Sequence, residues 1–297
     1  MIDKIDIKIL SEKKKKGDIS YERLGKEVNL TKGAISKRIA KLKKEGIILG
    51  DHYFVNFDYF GLRQRIFLFV NVPAKSEVYL DIEKIPEIHR SYGVTGDCDV
   101  VLSAVVKDAS SINRFIDGID SVYGEDVRSI TPIIVRKVYK EHGAFPPEVE
   151  PKKMDVKDTD KEILSKIQEN PNKNKICREL SINRNTFYKR LSRLKGEGLL
   201  RPSIKIDYEK LFTGIVSVDT LPGCAEKVAK QLKHEPEVFS LYQVIGKMDL
   251  LVFAVAANAR SYSELIIDKL RFTDKIRGTS TYVVMNYISK KLLVHPY

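Results

Sequence analysis

The sequence has few cysteines and no long apolar run. Its three cysteines, Cys98, Cys177 and Cys224, are odd in number and far apart, which excludes a disulfide framework and a paired-cysteine metal site. We expect buried thiols in a reducing cytoplasm. No stretch of about 18 apolar residues occurs, and the first ten residues lack the apolar core of a signal peptide. A membrane span is therefore not expected, and the predicted location is cytoplasmic.

Motifs for catalysis and metal binding are also missing. The five histidines are scattered without the spacing of metal ligands. No phosphate loop, nucleophilic triad or paired-carboxylate motif stands out. The residues therefore predict no catalytic site, no metal and no cofactor.

Positive charge is in excess and is unevenly distributed. The chain holds 52 Lys+Arg against 40 Asp+Glu, a formal net charge of +12. Residues 1–60 and residues 155–210 each contain 14 Lys+Arg against 9 Asp+Glu, a net charge of +5 apiece. Such concentration suits the neutralisation of phosphates, so it predicts salt-dependent binding to double-stranded DNA. A generally lysine-rich composition is the alternative explanation.

Both basic segments contain the same helical motif. Residues 30–48 (LTKGAISKRIAKLKKEGII) and 182–200 (INRNTFYKRLSRLKGEGLL) align without a gap at an offset of 152. In each, a polar residue, Thr31 or Asn183, can cap a helix whose apolar residues share one face and which ends at a glycine. Two helices precede it, and a two-stranded wing is expected over 47–55. This order predicts two winged helix-turn-helix domains, with a simple three-helix bundle as the alternative.

A different pattern follows each basic segment. In the first half, strands are predicted over 64–72, 88–94, 99–106 and 127–138, with helices over 76–85 and 110–122; the same order recurs over 214–288. The order βαββαβ is typical of a ferredoxin-like domain. The predicted fold class is therefore α+β, with each winged helix-turn-helix domain followed by a ferredoxin-like domain.

The predicted domain boundaries follow from these patterns. They are 1–60 and 158–210 for the winged helices, 61–139 and 211–297 for the ferredoxin-like domains, and 140–157 for a linker. The linker contains three prolines and few apolar residues, so an extended segment is expected there.

The exposed side of each third helix supplies the candidate DNA contacts. They are Thr31, Lys32, Gly33, Ser36, Lys37, Arg38 and Lys41 in the first helix, and Arg184, Asn185, Tyr188, Lys189, Arg190 and Arg193 in the second. Long cations can reach phosphates or guanine edges, asparagine can bond an adenine edge, and small residues allow close approach to the groove. The alternative is that several are solvated surface charges. The lysine run 13–16 is interpreted as a solvated helix end.

Two glycine hairpins suggest a second kind of site. They read VTGDCD over 94–99 and VIGKMD over 244–249. Asp97 could balance the ammonium group of an amino acid, and nearby glycine amides could receive its carboxylate. The alternative is ordinary turn chemistry, since glycine and aspartate are common in hairpins.

These segments resemble the Lrp/AsnC family of feast/famine transcription regulators. The opening IDKIDIKIL resembles the family's first helix, residues 30–48 its recognition helix and wing, and IPEIHRSYGVTGDCDVVLSAVVKD the central strands of its amino-acid-responsive (RAM) domain. The second half is more diverged, with DKEILSKIQ and VIGKMDLLVFAV carrying the likeness. The resemblance implies DNA binding by paired winged helices, dimerisation through RAM sheets and a small effector such as an amino acid.

The resemblance also indicates which hairpin residues could sense a ligand. Thr95, Gly96 and Asp97 match the family's ligand-sensing loop, and Asp99, Gly246 and Asp249 complete the candidate set. In the second copy Lys247 replaces the acid, which argues against amino-acid sensing there.

Family members usually have one such half per chain, whereas this chain has two. We therefore expect the two RAM domains to pair as a single-chain pseudo-dimer that reads an asymmetric DNA site. Siroheme decarboxylases share the architecture and use histidine and arginine near the central hairpin. Here His89 and Arg90 lie there in the first copy, but Phe239, Ser240 and Leu241 in the second. Such an enzyme, and a weakly specific architectural DNA-binding protein, are the alternatives.

Overall fold

The computed structural model describes residues 2–73, 84–142, 155–271 and 273–289. Most of the predicted helix 76–85, most of the predicted linker and the last eight residues lie outside the described residues. The helices are α1 (Lys4–Lys15), α2 (Tyr21–Val28), α3 (Lys32–Lys44), α4 (Ser111–Tyr123), α5 (Asp158–Glu169), α6 (Lys173–Glu179), α7 (Arg184–Gly196), α8 (Ala225–Leu232) and α9 (Ala259–Leu265). The strands are β1 (Ile48–Val55), β2 (Gln64–Asn71), β3 (Ile88–Thr95), β4 (Val100–Val106), β5 (Ser129–Glu141), β6 (Leu200–Ile206), β7 (Phe212–Thr220), β8 (Val238–Ile245), β9 (Leu250–Ala256) and β10 (Ile276–Ser289).

The two recognition helices, α3 and α7, begin and end at the predicted residues. The side chains of Thr31 and Asn183 each accept a hydrogen bond from a backbone N–H three residues later, at 3.2 and 2.8 Å. These caps satisfy N–H groups that the first turn leaves without a partner. Gly46 and Gly198 follow the helices with φ of 70° and 77°, the left-handed conformation that glycine adopts most readily.

The predicted two-stranded wing over 47–55 is wrong. This segment forms one strand, β1, which pairs antiparallel with β6 of the second unit from Ile48 opposite Ile206 to Val55 opposite Leu200. A lone strand needs partners for its backbone groups. The corresponding strand of the other unit provides them, so the two helix-turn-helix units share one sheet, here called the wing sheet.

The two RAM-like units also pair with each other. Their eight strands form a closed antiparallel barrel in the order β10-β3-β4-β2-β5-β8-β9-β7. The pairs β5–β8 and β10–β3 join the two halves. Strand β5 extends to Glu141, two residues into the predicted linker. The RAM pairing expected of a pseudo-dimer therefore occurs within one chain, and closure leaves no strand edge of the barrel unpaired.

Aromatic side chains from both halves fill the barrel interior. The ring of Phe67 lies 5.1 Å from that of Tyr242 and 5.3 Å from that of Phe253, and Phe69 lies 5.1 Å from Tyr282. Contacts of this kind contribute roughly 0.5–1.5 kcal/mol each beyond the area they bury. The halves cannot separate without exposing this shared core. Among the described residues, no helix is both long and apolar enough to cross a membrane.

Candidate nucleic-acid interface and adjoining cavity

Each recognition helix buries its apolar face and exposes a polar one. Ile35, Ile39 and Leu42 of α3 are buried, as are the three matching apolar residues of α7. The predicted contacts Thr31, Lys32, Gly33, Ser36, Lys37, Arg184, Asn185, Tyr188, Lys189 and Arg193 are exposed, and Arg38, Lys41 and Arg190 are half-buried. The burial pattern therefore leaves the candidate DNA-reading surface accessible on both helices.

Four of the predicted DNA contacts, Arg38, Lys41, Arg190 and Arg193, form ion pairs within the protein. The guanidinium of Arg38 lies 2.7 Å from the carboxylate of Asp6, and that of Arg190 lies 2.8 Å from Asp160. Arg193 pairs with Asp160 as well. Because Asp6 and Asp160 have no exposed surface, these pairs fasten each recognition helix to the first helix of its unit. The arginines thus position the reading surface, and their direct contact with DNA stays a prediction.

The starts of the recognition helices suit the approach of phosphate groups. Neither α3 nor α7 has an acidic residue in its first turn, whereas α1 contains Asp6 there and α5 contains Asp158 and Asp160. The partial positive charge at a helix N-terminus is therefore not offset by a local carboxylate. Exposed backbone N–H groups at such a terminus favour an anion.

Contacts between the units hold the far ends of the recognition helices. The ammonium of Lys210 donates to the backbone carbonyl of Glu45 at 2.9 Å, just after α3. The side-chain amide of Asn56 donates to the carbonyl of Gly198 at 3.4 Å, just after α7. Together with the wing sheet, these contacts fix the orientation of one reading helix relative to the other.

The two hairpins with candidate ligand residues contact each other. Lys247 pairs with Asp97 at 2.5 Å, and this hydrogen bond, with a second from Tyr282, lowers the pKa of the Asp97 carboxyl. The two residues stand at aligned positions of the repeat. In a repeated sequence, opposite charges at aligned positions indicate that the two copies can contact each other there. Asp97 therefore already has a cationic partner in the place where an amino-acid ammonium was predicted.

The other candidate ligand residues have structural contacts too. The carboxylate of Asp99 accepts from the backbone N–H of Val72 at 2.9 Å, and that of Asp249 from Thr220 at 2.7 Å. Thr95 ends β3 and is exposed. These contacts support the turn explanation of the hairpins, and the ligand role of the six residues stays a prediction.

The hairpin glycines allow close packing between halves. Gly96 and Gly246 have φ of 144° and 143°. A Cβ atom at Gly96 would lie 2.9 Å from the ring of Tyr282, and one at Gly246 would lie 2.9 Å from the side chain of Ile133. In each case the neighbour belongs to the other half, so both glycines serve the docking of the two RAM units.

A cavity of about 230 Å³ lies between the wing sheet and the barrel. Its lining residues include the nitrogen-bearing Lys14, His52, His89, Arg90, His142 and Lys205, the acidic Asp51 and Glu169, and the aromatic Phe54, Tyr208, Phe239 and Tyr287. The wall therefore combines charged groups of both signs with aromatic rings, and both halves of the chain build it. Among the described residues, no group of three or more His, Cys, Asp and Glu side chains is arranged to hold a metal ion.

Lys14 is the most deeply buried cation of this wall. Its residue is 7% exposed and its ammonium donates to the carbonyl of Ile204 at 2.9 Å. Burial, reinforced by the charges of Arg90, Arg201 and Lys205, lowers the pKa of Lys14 to about 7. The interpretation of residues 13–16 as a solvated helix end is thus wrong for Lys14, because this side chain turns inward beneath the wing sheet.

Two histidines of the wall are kept neutral by the same environment. Burial, followed by the charges of Lys14, Arg90 and Lys205, lowers the pKa of His52 to about 3. His142 shares a 2.8 Å hydrogen bond with Ser11, and burial also lowers its pKa. The sequence does not predict this site, because its residues are far apart along the chain and have no motif spacing.

Two family models match this chain, one of them in both halves. The Lrp/AsnC ligand-binding domain model matches residues 67–145 and 213–293, and a winged helix-turn-helix DNA-binding model matches residues 2–48. The first model therefore occurs twice, once in each half of the barrel.

Several curated relatives correspond to one half of this chain. The HTH-type transcriptional regulator FL11 of Pyrococcus furiosus is 32% identical over 148 residues, which is 49% of this chain and 97% of the relative. The HTH-type transcriptional regulator LysM of Saccharolobus solfataricus is 34% identical over 125 residues, 41% of this chain and 87% of the relative. The chain is thus similar to two such regulators joined in tandem.

One solved structure resembles the chain over nearly its whole length. The crystal structure of the siroheme decarboxylase NirDL has a TM-score of 0.57 and 17% identity, and the match covers 97% of this chain and 93% of that one. At this identity the likeness shows the fold alone. The ligand-binding family model covers more than half of the 297 residues, and the chain therefore belongs to the Lrp/AsnC family of transcription regulators, with the family's pair of domains present twice.

Proposed function

We propose that this chain is a single-chain pseudo-dimer that binds double-stranded DNA through α3 and α7 and reads an asymmetric site. The observation that carries the proposal is the wing sheet, which joins two accessible basic recognition helices in one rigid arrangement. Two helices held in this way can contact two half-sites of one duplex. Phosphate contacts would supply most of the affinity and make it fall steeply with salt.

The two reading surfaces differ in the residues nearest the helix start. Lys32 and Gly33 of α3 align with Arg184 and Asn185 of α7. In α7 the guanidinium of Arg184 bonds the side chain of Asn174 at 3.1 and 2.5 Å. Arginine and asparagine are the side chains best suited to guanine and adenine edges, whereas lysine and glycine discriminate less. The second helix is therefore expected to select its half-site more strictly than the first.

Selection of bound duplexes from a random pool tests this proposal. The native chain should recover sites with two unlike halves, and recovery of perfect palindromes as the best ligands would count against an asymmetric reader. The double substitution Lys32→Arg with Gly33→Asn makes the start of α3 like that of α7, so we expect the selected sites to become more symmetric. Each base contact that the new side chains make should contribute about 1–3 kcal/mol of discrimination between the right and the wrong base. Lys227→Arg, on exposed barrel helix α8, is the matched control and should leave the selected sites unchanged.

Duplex affinity, measured at several salt concentrations and for several sequences, separates a specific regulator from an architectural protein. Binding that varies strongly with salt but hardly with sequence would identify the architectural function. The predicted effector and any association between pseudo-dimers are further parts of the proposal. The hairpins do not favour an amino-acid effector, because the ammonium of Lys247 already donates a hydrogen bond to the carboxylate of Asp97.

A second candidate function is an enzyme related to siroheme decarboxylases. The whole-length fold match and the presence of His89 and Arg90 in the cavity wall favour it. The aligned residues of the second copy are Phe239 and Ser240, so only one copy offers this pair. We expect the purified chain to leave the absorption spectrum of siroheme unchanged and to release no carbon dioxide from it. Repeated turnover of siroheme with release of carbon dioxide would show that the chain is an enzyme and would contradict the regulator proposal.

A further inference from the structure

Recognition helix α7 has one exposed aromatic side chain, Tyr188, which is 47% exposed. The other exposed residues of α7 are charged, polar or glycine: Arg184, Asn185, Lys189, Ser192, Arg193 and Gly196. Ser36 stands at the aligned position of α3, and none of the exposed residues of α3 is aromatic. The two reading surfaces therefore differ by one apolar group of aromatic size.

The ring of Tyr188 contributes little to the core of the second unit. Within the part of the chain that the structure describes, the apolar cluster of this unit includes Phe187 but not Tyr188. The two rings meet edge to face with their centroids 5.7 Å apart. In the first unit, by contrast, the half-buried Tyr21 packs against the core. The fold therefore does not account for an aromatic residue at position 188.

A lysine of the neighbouring helix restricts the position of the Tyr188 ring. The ammonium of Lys173 lies 5.7 Å from the ring centre, and Lys173 is the first residue of α6. An exposed contact between a cation and a ring stabilises weakly, but it limits the directions in which the ring points. A side chain that is already ordered loses less conformational entropy when it binds.

The neighbours of Tyr188 on α7 place it among the side chains that reach bases. Arg184 and Asn185 precede it by four and three residues, so the three side chains share one face of the helix. The first turns of a recognition helix contact base edges in the major groove. The 5-methyl group of thymine is the apolar group that base pairs present there. Contact between this methyl group and the ring removes apolar surface of both from water.

We propose that the ring of Tyr188 contacts the 5-methyl group of one thymine, which makes Tyr188 a specificity-determining residue for the half-site of α7. This contact rests on the proposed function, because it requires α7 in the major groove, and it deepens that function by naming a base that one half-site requires. Ser36 offers a hydroxyl group at the aligned position of α3. The corresponding base of the other half-site is therefore not selected by its methyl group.

Replacement of single thymines by deoxyuridine tests this contact, because deoxyuridine lacks the methyl group and keeps the hydrogen-bonding edges of thymine. The duplex is the best ligand selected from the random pool. The half-site of α7 is the half whose preferred bases stay the same after the substitution of Lys32 and Gly33 described above. We expect one replacement in that half to weaken binding by the native chain about fourfold, the factor that burial of one methyl group contributes.

Three variants assign this loss to the ring. Tyr188→Ser copies the residue of α3 and should bind the thymine and deoxyuridine duplexes with equal affinity, whereas Tyr188→Phe keeps the ring and should keep the fourfold difference. The reciprocal Ser36→Tyr should create such a difference for a thymine at the corresponding place in the half-site of α3, where the native chain shows none. Both positions are exposed, so the variants should fold, and low salt keeps weak binding measurable.

Three results would each overturn the thymine contact. They are a half-site of α7 without a preferred thymine, no loss of affinity at any deoxyuridine, and the same loss in Tyr188→Ser as in the native chain. A uniform loss in Tyr188→Phe without any effect of deoxyuridine would assign the hydroxyl group to a phosphate and would also overturn it. Failure of the native chain to bind any duplex would contradict the proposed function itself, and the thymine contact with it, and is distinguishable from these results.

Discussion

Replacing Gly17 by alanine is expected to lower the free energy of unfolding by about 2–3 kcal/mol. Gly17 follows α1 and packs on strand β6 of the second unit, where its backbone N–H donates to the carbonyl of Pro202 at 3.1 Å. A Cβ atom at Gly17 would lie 2.3 Å from the nitrogen and 2.5 Å from the Cα of Ser203. Both are backbone atoms within the wing sheet, so relief requires movement of the strand itself. Urea denaturation should detect the loss.

Gly118→Ala is the matched control for this substitution. Gly118 lies within α4, and a Cβ atom there meets nothing within 4 Å. Alanine is favoured over glycine inside a helix by about 1 kcal/mol, so this variant should be slightly more stable than the native chain. An unchanged midpoint for Gly17→Ala would contradict the close contact between the first unit and the wing sheet. The opposite signs expected for the two variants rule out a general effect of adding a methyl group.

The sequence predicted most of the local structure, because local structure depends on neighbouring residues. The caps Thr31 and Asn183, the glycines that end both recognition helices and the hairpins at Gly96 and Gly246 were all predicted at the right positions. Each depends on the conformational preference of one residue and on hydrogen bonds within a few positions of it.

Long-range pairing was predicted only where the repeat indicated it. The duplication of the RAM-like pattern implied that the two halves pair, and they do so through β5–β8 and β10–β3. The wing was wrong because the partner of β1 begins at Leu200, about 150 residues away. An isolated strand pattern over 47–55 does not indicate whether its partner is adjacent or in the other unit.

The candidate sites, too, were predicted in their local features but not in their long-range contacts. Burial periodicity correctly predicted which faces of α3 and α7 are accessible. It did not predict that Arg38 and Arg190 would pair with buried carboxylates. The sequence does not distinguish an arginine that contacts DNA from one that forms an ion pair within the protein. Nor could it bring Lys14 and Arg90 to one cavity, since that proximity exists only after the wing sheet and the barrel have closed over each other.

The buried carboxylates that position the recognition helices should be the most sensitive residues for DNA binding outside the reading surface. Asp160 has no exposed surface, accepts from Arg190 at 2.8 Å and also pairs with Arg193. It further accepts from the backbone N–H of Lys157 at 3.2 Å, which caps α5. One carboxylate therefore connects the start of the first helix to two turns of the recognition helix.

Asp160→Asn is accordingly expected to lower the free energy of unfolding by about 2 kcal/mol and to weaken DNA binding about tenfold or more. Removal of one partner from a buried ion pair costs roughly 3–5 kcal/mol. The side chains of Arg190 and Arg193 keep 27% and 39% exposure, so water partly solvates them after the substitution and the loss is smaller. DNA affinity falls because α7 loses the contacts that fix its orientation, even though no DNA-facing residue has changed.

Asp158→Asn on the same helix is the control for this prediction. Its side chain is 95% exposed and pairs with Lys161 at 3.0 Å, an arrangement that contributes little to stability. This variant should stay within about 0.5 kcal/mol of the native chain and bind DNA with native affinity. Denaturation and duplex titration on both variants separate the two roles of Asp160. If Asp160→Asn lost stability but kept native DNA affinity, the ion pair would support the fold of the second unit without orienting its recognition helix, and positioning by Asp160 would be rejected.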